Sequence, residues 1–249
     1  MGEFLLKSAN VIFALVIVFA IGFYLGGNFS NAPAISLEKL PEKTLSAKAN
    51  ILAVDSQGKG IVSQASVEIN SGSGRILLSL NPFVEPDTQD SAKTAASIAQ
   101  EFTGKSLSDK DVIYSIENSP ASLVGGPSAG AALTLATIAA IQEKRVRSDA
   151  AITGTIQADG KIGEVGGVIE KASAAAEKGL KLFVVPKGQK TLTYYEQRQE
   201  ETRRGNFTIT RTVYVPKTID LQEYLKQEGF EIQVEEVASI QEAAALMIE

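Results

Sequence analysis

Gly125-Gly126-Pro127-Ser128-Ala129-Gly130 opens a run, Ala131-Ala-Leu-Thr-Leu-Ala-Thr-Ile-Ala-Ala-Ile141, that is apolar almost all round and ends in the charged stretch Gln142-Glu-Lys-Arg-Val-Arg147. A helix with no polar face belongs in a core, so this segment reads as a buried helix with a glycine-rich turn and a serine at its start. The chain contains no histidine and no cysteine. A serine nucleophile here needs an amine or a carboxylate as its base, because imidazole is absent. The candidate is Lys171 in Gly166-Gly167-Val168-Ile169-Glu170-Lys171, where a second helix begins near Val168 after two glycines.

The turn satisfies the G-x-S-x-G pattern of the nucleophile elbow, but that arrangement works with a histidine, and none follows. A Ser-Lys pair survives as a variant of the same nucleophile-plus-base logic. The plain alternative is a helix start, with Gly126 as cap and Pro127 at the first helical position, where its missing N–H costs nothing. For Lys171 to act as a base its pKa must fall well below the reference of about 10.4. Helical spacing puts Lys171 with Val168, Ala172, Ala174 and Ala175, and Glu170, Ser173 and Glu177 on another face. Desolvation on an apolar face lowers a lysine pKa; the alternative is a surface helix whose lysine snorkels to water.

Ser128 and Lys171, taken with Ala151-Ile152-Thr153-Gly154 and Lys181-Leu182-Phe183-Val184-Val185-Pro186, resemble the proteolytic domain of the Lon proteases over residues 46–249. The resemblance implies Ser128 as nucleophile, Lys171 as general base, Thr153 as the hydroxyl that helps to hold the lysine amine, and the amides of Ser128 and Gly125 as oxyanion donors. The side-chain-free Gly125 and Gly126 would also let a substrate backbone approach closely. First-turn amides and the helix dipole are expected to face developing negative charge. Two positions depart from the family, which often carries aspartate at the place of Gly125 and glutamate at that of Thr155. The Gly-Gly-Pro-Ser turn resembles the membrane-anchored, ATPase-free Lon-like subfamily.

Composition bounds the rest. The 249 residues, 44% of them hydrophobic, suffice for one core of roughly 200 residues with appendages. A net charge of -5 argues against nucleic acid as partner. The absence of cysteine excludes disulfides and thiolate metal sites and the absence of histidine removes the commonest metal ligand, and neither a metal nor another cofactor is expected. Residues 8–37 carry no charge, and 11–25 are almost continuously apolar. About 20 residues cross a bilayer, so residues 1–27 are expected to form a retained single-pass anchor. A cleaved signal peptide is the competing reading, with Ala32-Pro33-Ala34 as a distant small-residue site. Basic residues flanking the span barely favour either orientation. The small polar tract 28–34 after the anchor looks like an exported topology, so the catalytic domain is expected outside the cytoplasm, the side on which the sequon Asn206-Phe207-Thr208 could be used. Residues 28–45 read as a tether.

Along the catalytic region, three strands at 47–54, 61–69 and 75–80 are expected, joined by hairpin turns at Gly58-Lys-Gly60 and Gly72-Ser-Gly74. A helix over 88–102 should stop at Gly104, and a strand over 112–116 should lead to the serine turn. Strands at 150–156 and 182–185 flank the Lys171 helix, and the chain closes with a strand at 232–237 and a helix at 240–247. The class is α+β, strands first and βα units later. Residues 187–230 form an insertion longer than the family needs. A solvated helix through the charged 196–204 run and a hairpin with a strand at 207–215 is the favoured reading, with a substrate lid or a subunit contact as alternatives.

The chain has no G-x-x-x-x-G-K-[ST] phosphate loop. The expectation is a membrane-anchored, ATP-independent serine endopeptidase acting on peptides or unfolded proteins, unless a separate unfoldase delivers substrates. The family resemblance implies a homo-oligomer, commonly a ring of six. A catalytically silent relative, acting as an anchored binding or assembly module, is the alternative that Gly125 supports.

Overall fold

The computed structural model describes residues 16–24, 43–79, 81–117, 123–205 and 207–249. It divides into two compact units, residues 1–41 and 42–249. Of the first, only a short helix, α1, over residues 16–24 is described, with exposed side chains. Among the described residues no helix is long and apolar enough to cross a membrane. Most of the expected anchor, its tether up to residue 42, and Asn206 of the sequon lie outside the described residues.

In the second unit, β1 (Leu45–Val54) and β2 (Gly60–Ser71) form the expected hairpin, with Leu45 opposite Ile69 and Val54 opposite Gly60. The Asp55 carboxylate accepts the N–H groups of Gln57 and Lys59 and closes the turn. β5 (Lys110–Glu117) runs antiparallel to β2. β3 (Ile76–Leu78) does not return against β2 as expected; it lies parallel to β5 at the sheet edge. Asp111 is the cause. Its carboxylate, near the start of β5, accepts the N–H groups of Ser73 and Arg75 and pairs with the Arg75 guanidinium, steering the chain over β5 to its far side.

On the other side of the hairpin, β7 (Ala150–Ile152), β10 (Leu182–Pro186) and β13 (Gln233–Val237) add in parallel. The seven-stranded order is β13-β10-β7-β1-β2-β5-β3. Every residue of β7 and β10 is buried, as a sheet covered on both faces requires. One face carries α2 (Pro86–Thr103), α3 (Gly130–Ile141) and α6 (Ile240–Met247); the other carries α4 (Val168–Glu177) and α5 (Leu221–Gln227). Thus Ile152 and Val184 point into one core while Ala151, Phe183 and Val185 point into the other.

The helix that the opening run predicts is the centre of the larger core, with Gly130 through Ala140 all buried. Its two threonines return their hydroxyls to the carbonyls of Gly130 and Leu133, so no polar group is stranded. α2 packs an alanine stripe, Ala92, Ala95, Ala96 and Ala99, into the same core, and Gly104 closes it in the left-handed region as expected.

The segment expected as one strand at 150–156 is broken. β7 stops at Ile152, and a two-residue β8 (Thr155–Ile156) pairs instead with β9 (Ile162–Gly163). Thr153 and Gly154 are diverted to the site described below. The insertion also differs. No helix spans 196–204; β11 (Thr191–Arg204) and β12 (Phe207–Asp220) form one 14-residue antiparallel ribbon, followed by α5. Its alternating Thr, Ile, Val and Tyr favour extended backbone. Charges of the run pair within the ribbon, Arg211 with Glu200 at 3.1 Å and Arg198 with Glu196 at 3.3 Å. Two further two-residue strands, β4 (Phe83–Val84) and β6 (Leu123–Val124), pair ahead of the serine turn.

Candidate active site

Pro127–Ala129 form a single 3-10 turn that runs directly into α3, with Gly126 as its cap. The two readings of the opening motif are therefore compatible: Gly126 caps, Pro127 starts the turn, and Ser128 follows. Gly126 sits at φ 89, ψ 145, a region essentially reserved for glycine. Gly130 is required for another reason. A Cβ there would lie 2.7 Å from Cγ2 of Ile156, so its absence lets α3 start against β8.

Lys171 lies in the first turn of α4, on the face it shares with Val168, Ala172, Ala174 and Ala175, and is 4% exposed. Its Nζ donates to Thr153 Oγ1 at 3.2 Å. Burial lowers its pKa to about 8, partly opposed by the exposed Glu170 carboxylate beside it. The ammonium is thus destabilised, as a general base requires.

The broken strand joins these two groups. Thr153, fully buried, holds the lysine amine through its side chain, while its N–H still bonds Val184 across the sheet. Its neighbour Gly154 donates its N–H to the Ser128 carbonyl at 2.9 Å and accepts from Ala131 at 3.1 Å. One dipeptide therefore fixes the positions of Lys171 and Ser128, the candidate base and the candidate nucleophile, together. Ser128 and Lys171 line one cleft of about 490 Å³, whose walls are the end of β1 (Ala53, Val54), the turn from Gly125 to Ser128, Thr155, the loop from Glu164 to Gly167, and Glu170. No hydrogen bond joins Ser128 Oγ to Lys171 Nζ in this state.

The oxyanion expectations meet specific geometry. Gly130 and Ala131 donate their N–H groups to Pro127 and Gly154, so the first turn of α3 does not offer them to a ligand. The Gly126 N–H points at Asp87 Oδ1, 3.3 Å away. Gly125 lines the cleft.

Sequence reasoning missed two groups beside this cleft. A Cβ on residue 125 would fall 1.8 Å from Oε2 of Glu85, so a carboxylate from the start of α2 occupies the space that a side chain at 125 would take. The buried Gln189 amide makes a two-way bond with the backbone of Val165, donating to its carbonyl at 2.8 Å and accepting its N–H at 3.0 Å, and so fixes the opposite lip. Neither carries a local sequence signal, since both act across more than twenty residues. Among the described residues no cluster of three or more carboxylates is placed to hold a metal.

Comparison with known proteins gives a consistent picture. The family model described as the Lon protease (S16) C-terminal proteolytic domain matches residues 38–199. The archaeal Lon protease of Archaeoglobus fulgidus is 28% identical over 144 residues, covering 56% of this chain and 23% of that protein. The Lon protease of Phenylobacterium zucineum is 36% identical over 120 residues, 46% of this chain and 15% of that protein. That of Desulfovibrio desulfuricans is 48% identical over 61 residues, 24% of this chain and 7% of that protein. The chain spans less than a quarter of the length of these relatives.

Proposed function

This chain belongs to the Lon protease (S16) C-terminal proteolytic domain family, serine peptidases that use a Ser-Lys dyad, and on that premise we propose that it is an ATP-independent endopeptidase with Ser128 as nucleophile and Lys171 as base. The observation that carries the assignment is the buried Lys171 amine, held by Thr153 and facing the same cleft as Ser128. Neutral Lys171 takes the proton of Ser128 as Oγ attacks the scissile carbonyl. The resulting ammonium then protonates the leaving amine. Turn amides of Ser128 and Gly125 hold the oxyanion, each such donor being worth about 3 kcal/mol. Water, deprotonated by Lys171, hydrolyses the acyl-enzyme and regenerates the serine.

On this reading its substrates are peptides and unfolded proteins, or chains delivered by a separate unfoldase. The apolar run 11–25 supports an N-terminal single-pass anchor, with the catalytic domain outside the cytoplasm. Assembly into a homo-oligomer, as a ring of six, is part of the same reading. One observation favours a silent binding module instead: Ser128 and Lys171 share the cleft without a direct hydrogen bond. Catalytic hydrogen bonds often tighten only when substrate binds, so the decision is experimental. The purified chain should cleave casein at a rate unchanged by ATP, and Ser128→Ala should abolish cleavage without altering the fold. Wild-type rates in Ser128→Ala would remove the dyad, and no cleavage by the wild type would favour the silent module.

A further inference from the structure

Both peptide units that precede Pro127 are held from one place, the first turn of α2. The Gly126 N–H donates to Asp87 Oδ1 at 3.3 Å, and the Gly126 carbonyl accepts the Thr88 hydroxyl at 2.9 Å. Asp87 Oδ1 also accepts the Thr88 N–H at 2.7 Å, so the carboxylate is oriented by the residue that makes the second bond. Thr88 is 1% exposed, and its hydroxyl is directed at Gly126 from within the protein. The entry to α2 is itself tied to the strand before the turn, since Glu85 donates its N–H to the Val124 carbonyl at 3.0 Å.

Gly126 at φ 89, ψ 145 occupies a conformation that persists only where its surroundings over-determine it. Glycine has no intrinsic preference for that region over its alternatives, and Pro127 has no N–H to anchor the next peptide. The two bonds from α2 are thus the last that reach the turn from another element on the N-terminal side of Ser128; the Pro127 carbonyl is held only within the turn, by the Gly130 N–H. On its C-terminal side the constraint is Gly154, through the Ser128 carbonyl.

We propose that Asp87 and Thr88 are positioning residues that set the serine turn, clamping both peptide planes of Gly126 so that the Ser128 hydroxyl and amide are presented to the cleft. The proposal rests on Ser128 being the nucleophile. Neither residue touches substrate. Their action is on the orientation of the group that does, and misplacement of a reacting group by about 1 Å can cost 10²-fold in rate. A valine would fill the volume of Thr88, so only the hydroxyl distinguishes a clamp from packing.

The test is the rate at which a fluorophosphonate acylates Ser128 in the full-length chain, measured beside peptide kcat and KM and the thermal midpoint. Thr88→Val should acylate at least tenfold more slowly and lose kcat with KM unchanged, while Thr88→Ser stays within threefold of wild type. Asp87→Ala, an exposed substitution that does not threaten folding, should also slow acylation, with recovery in Asp87→Asn, which keeps an acceptor oxygen. Labelling of Thr88→Val and Asp87→Ala within twofold of wild type overturns the clamp alone. A slowing shared equally by Thr88→Ser and Asp87→Asn and matched by a fall in thermal midpoint overturns it in favour of packing. Failure of the wild-type chain to label at Ser128 overturns the nucleophile assignment, and the clamp with it.

Discussion

At Lys171 the same burial that makes a base also costs stability. The folded chain releases this proton near pH 8, whereas an unfolded lysine holds it to its ordinary value of 10.5. Between those values the unfolded state binds more protons, so stability rises with pH across the window and the cost is fully present below pH 8. Lys171→Met should therefore stabilise the protein at pH 7 by roughly 2–3 kcal/mol, seen as a raised denaturation midpoint, with the gain fading as pH rises from 8 and gone above 10.5. Activity should move in step: kcat/KM is expected to rise with pH through an apparent pKa near 8. A profile flat from pH 6 to 9 would detach catalysis from this amine. Ser128, Lys171 and Thr153 were legible because each lies in a short glycine-marked segment whose pattern is local. Glu85, Asp87 and Gln189 were not, because their significance arises only when α2 and the root of the ribbon are packed against the two lips of the cleft.

Among the elements, those with a strong period were read correctly and those decided by tertiary partners were not. The buried α3 and the closing helix α6 follow from apolar patterning alone, with Ser239 capping the latter through the Glu242 N–H. β3 is a short apolar stretch, Ile76-Leu77-Leu78, that the sequence offers as a further hairpin strand, but the Asp111 carboxylate holds the chain before it and it pairs with β5. The strand after β7 was interrupted because Gly154 leaves the sheet to hold Ser128. The charged run 196–204 suits a solvated helix by composition, and the partner strand with its Thr and Ile residues draws it into a ribbon. That ribbon pairs with no other strand among the described residues and exposes Tyr195, Phe207 and Tyr214. Because Thr193 and Thr218 are opposite each other, replacing residues 193–218 by a short Gly-Ser turn should leave a folded protein with a midpoint within a few degrees of wild type. Collapse of the cooperative transition would show instead that the ribbon is part of the core. Sedimentation of the same variant reports whether the exposed aromatic side chains hold subunits together.

For the whole molecule, the absence of histidine and cysteine leaves an amine or a carboxylate to activate a serine in the cleft, and Lys171 is the amine that lines it. The proposed anchor makes its own demand: the full chain should remain in the membrane fraction after alkaline carbonate extraction, and removal of residues 1–27 should release it. Extraction of the intact chain would refute anchoring and leave the peptidase assignment untouched. The central claim is that Ser128 is activated by Lys171, and acylation of the intact protein by a serine-directed fluorophosphonate, located by peptide mass spectrometry, tests it most directly. The expected result is a single adduct on Ser128 whose rate of formation rises with an apparent pKa near 8 and is lost in Lys171→Arg, since a guanidinium keeps its charge and cannot accept the proton. An adduct on a different residue, or labelling of Lys171→Arg at the wild-type rate, would contradict it and move the search for the base to Glu164 and Glu170, the other ionisable groups that line the cleft.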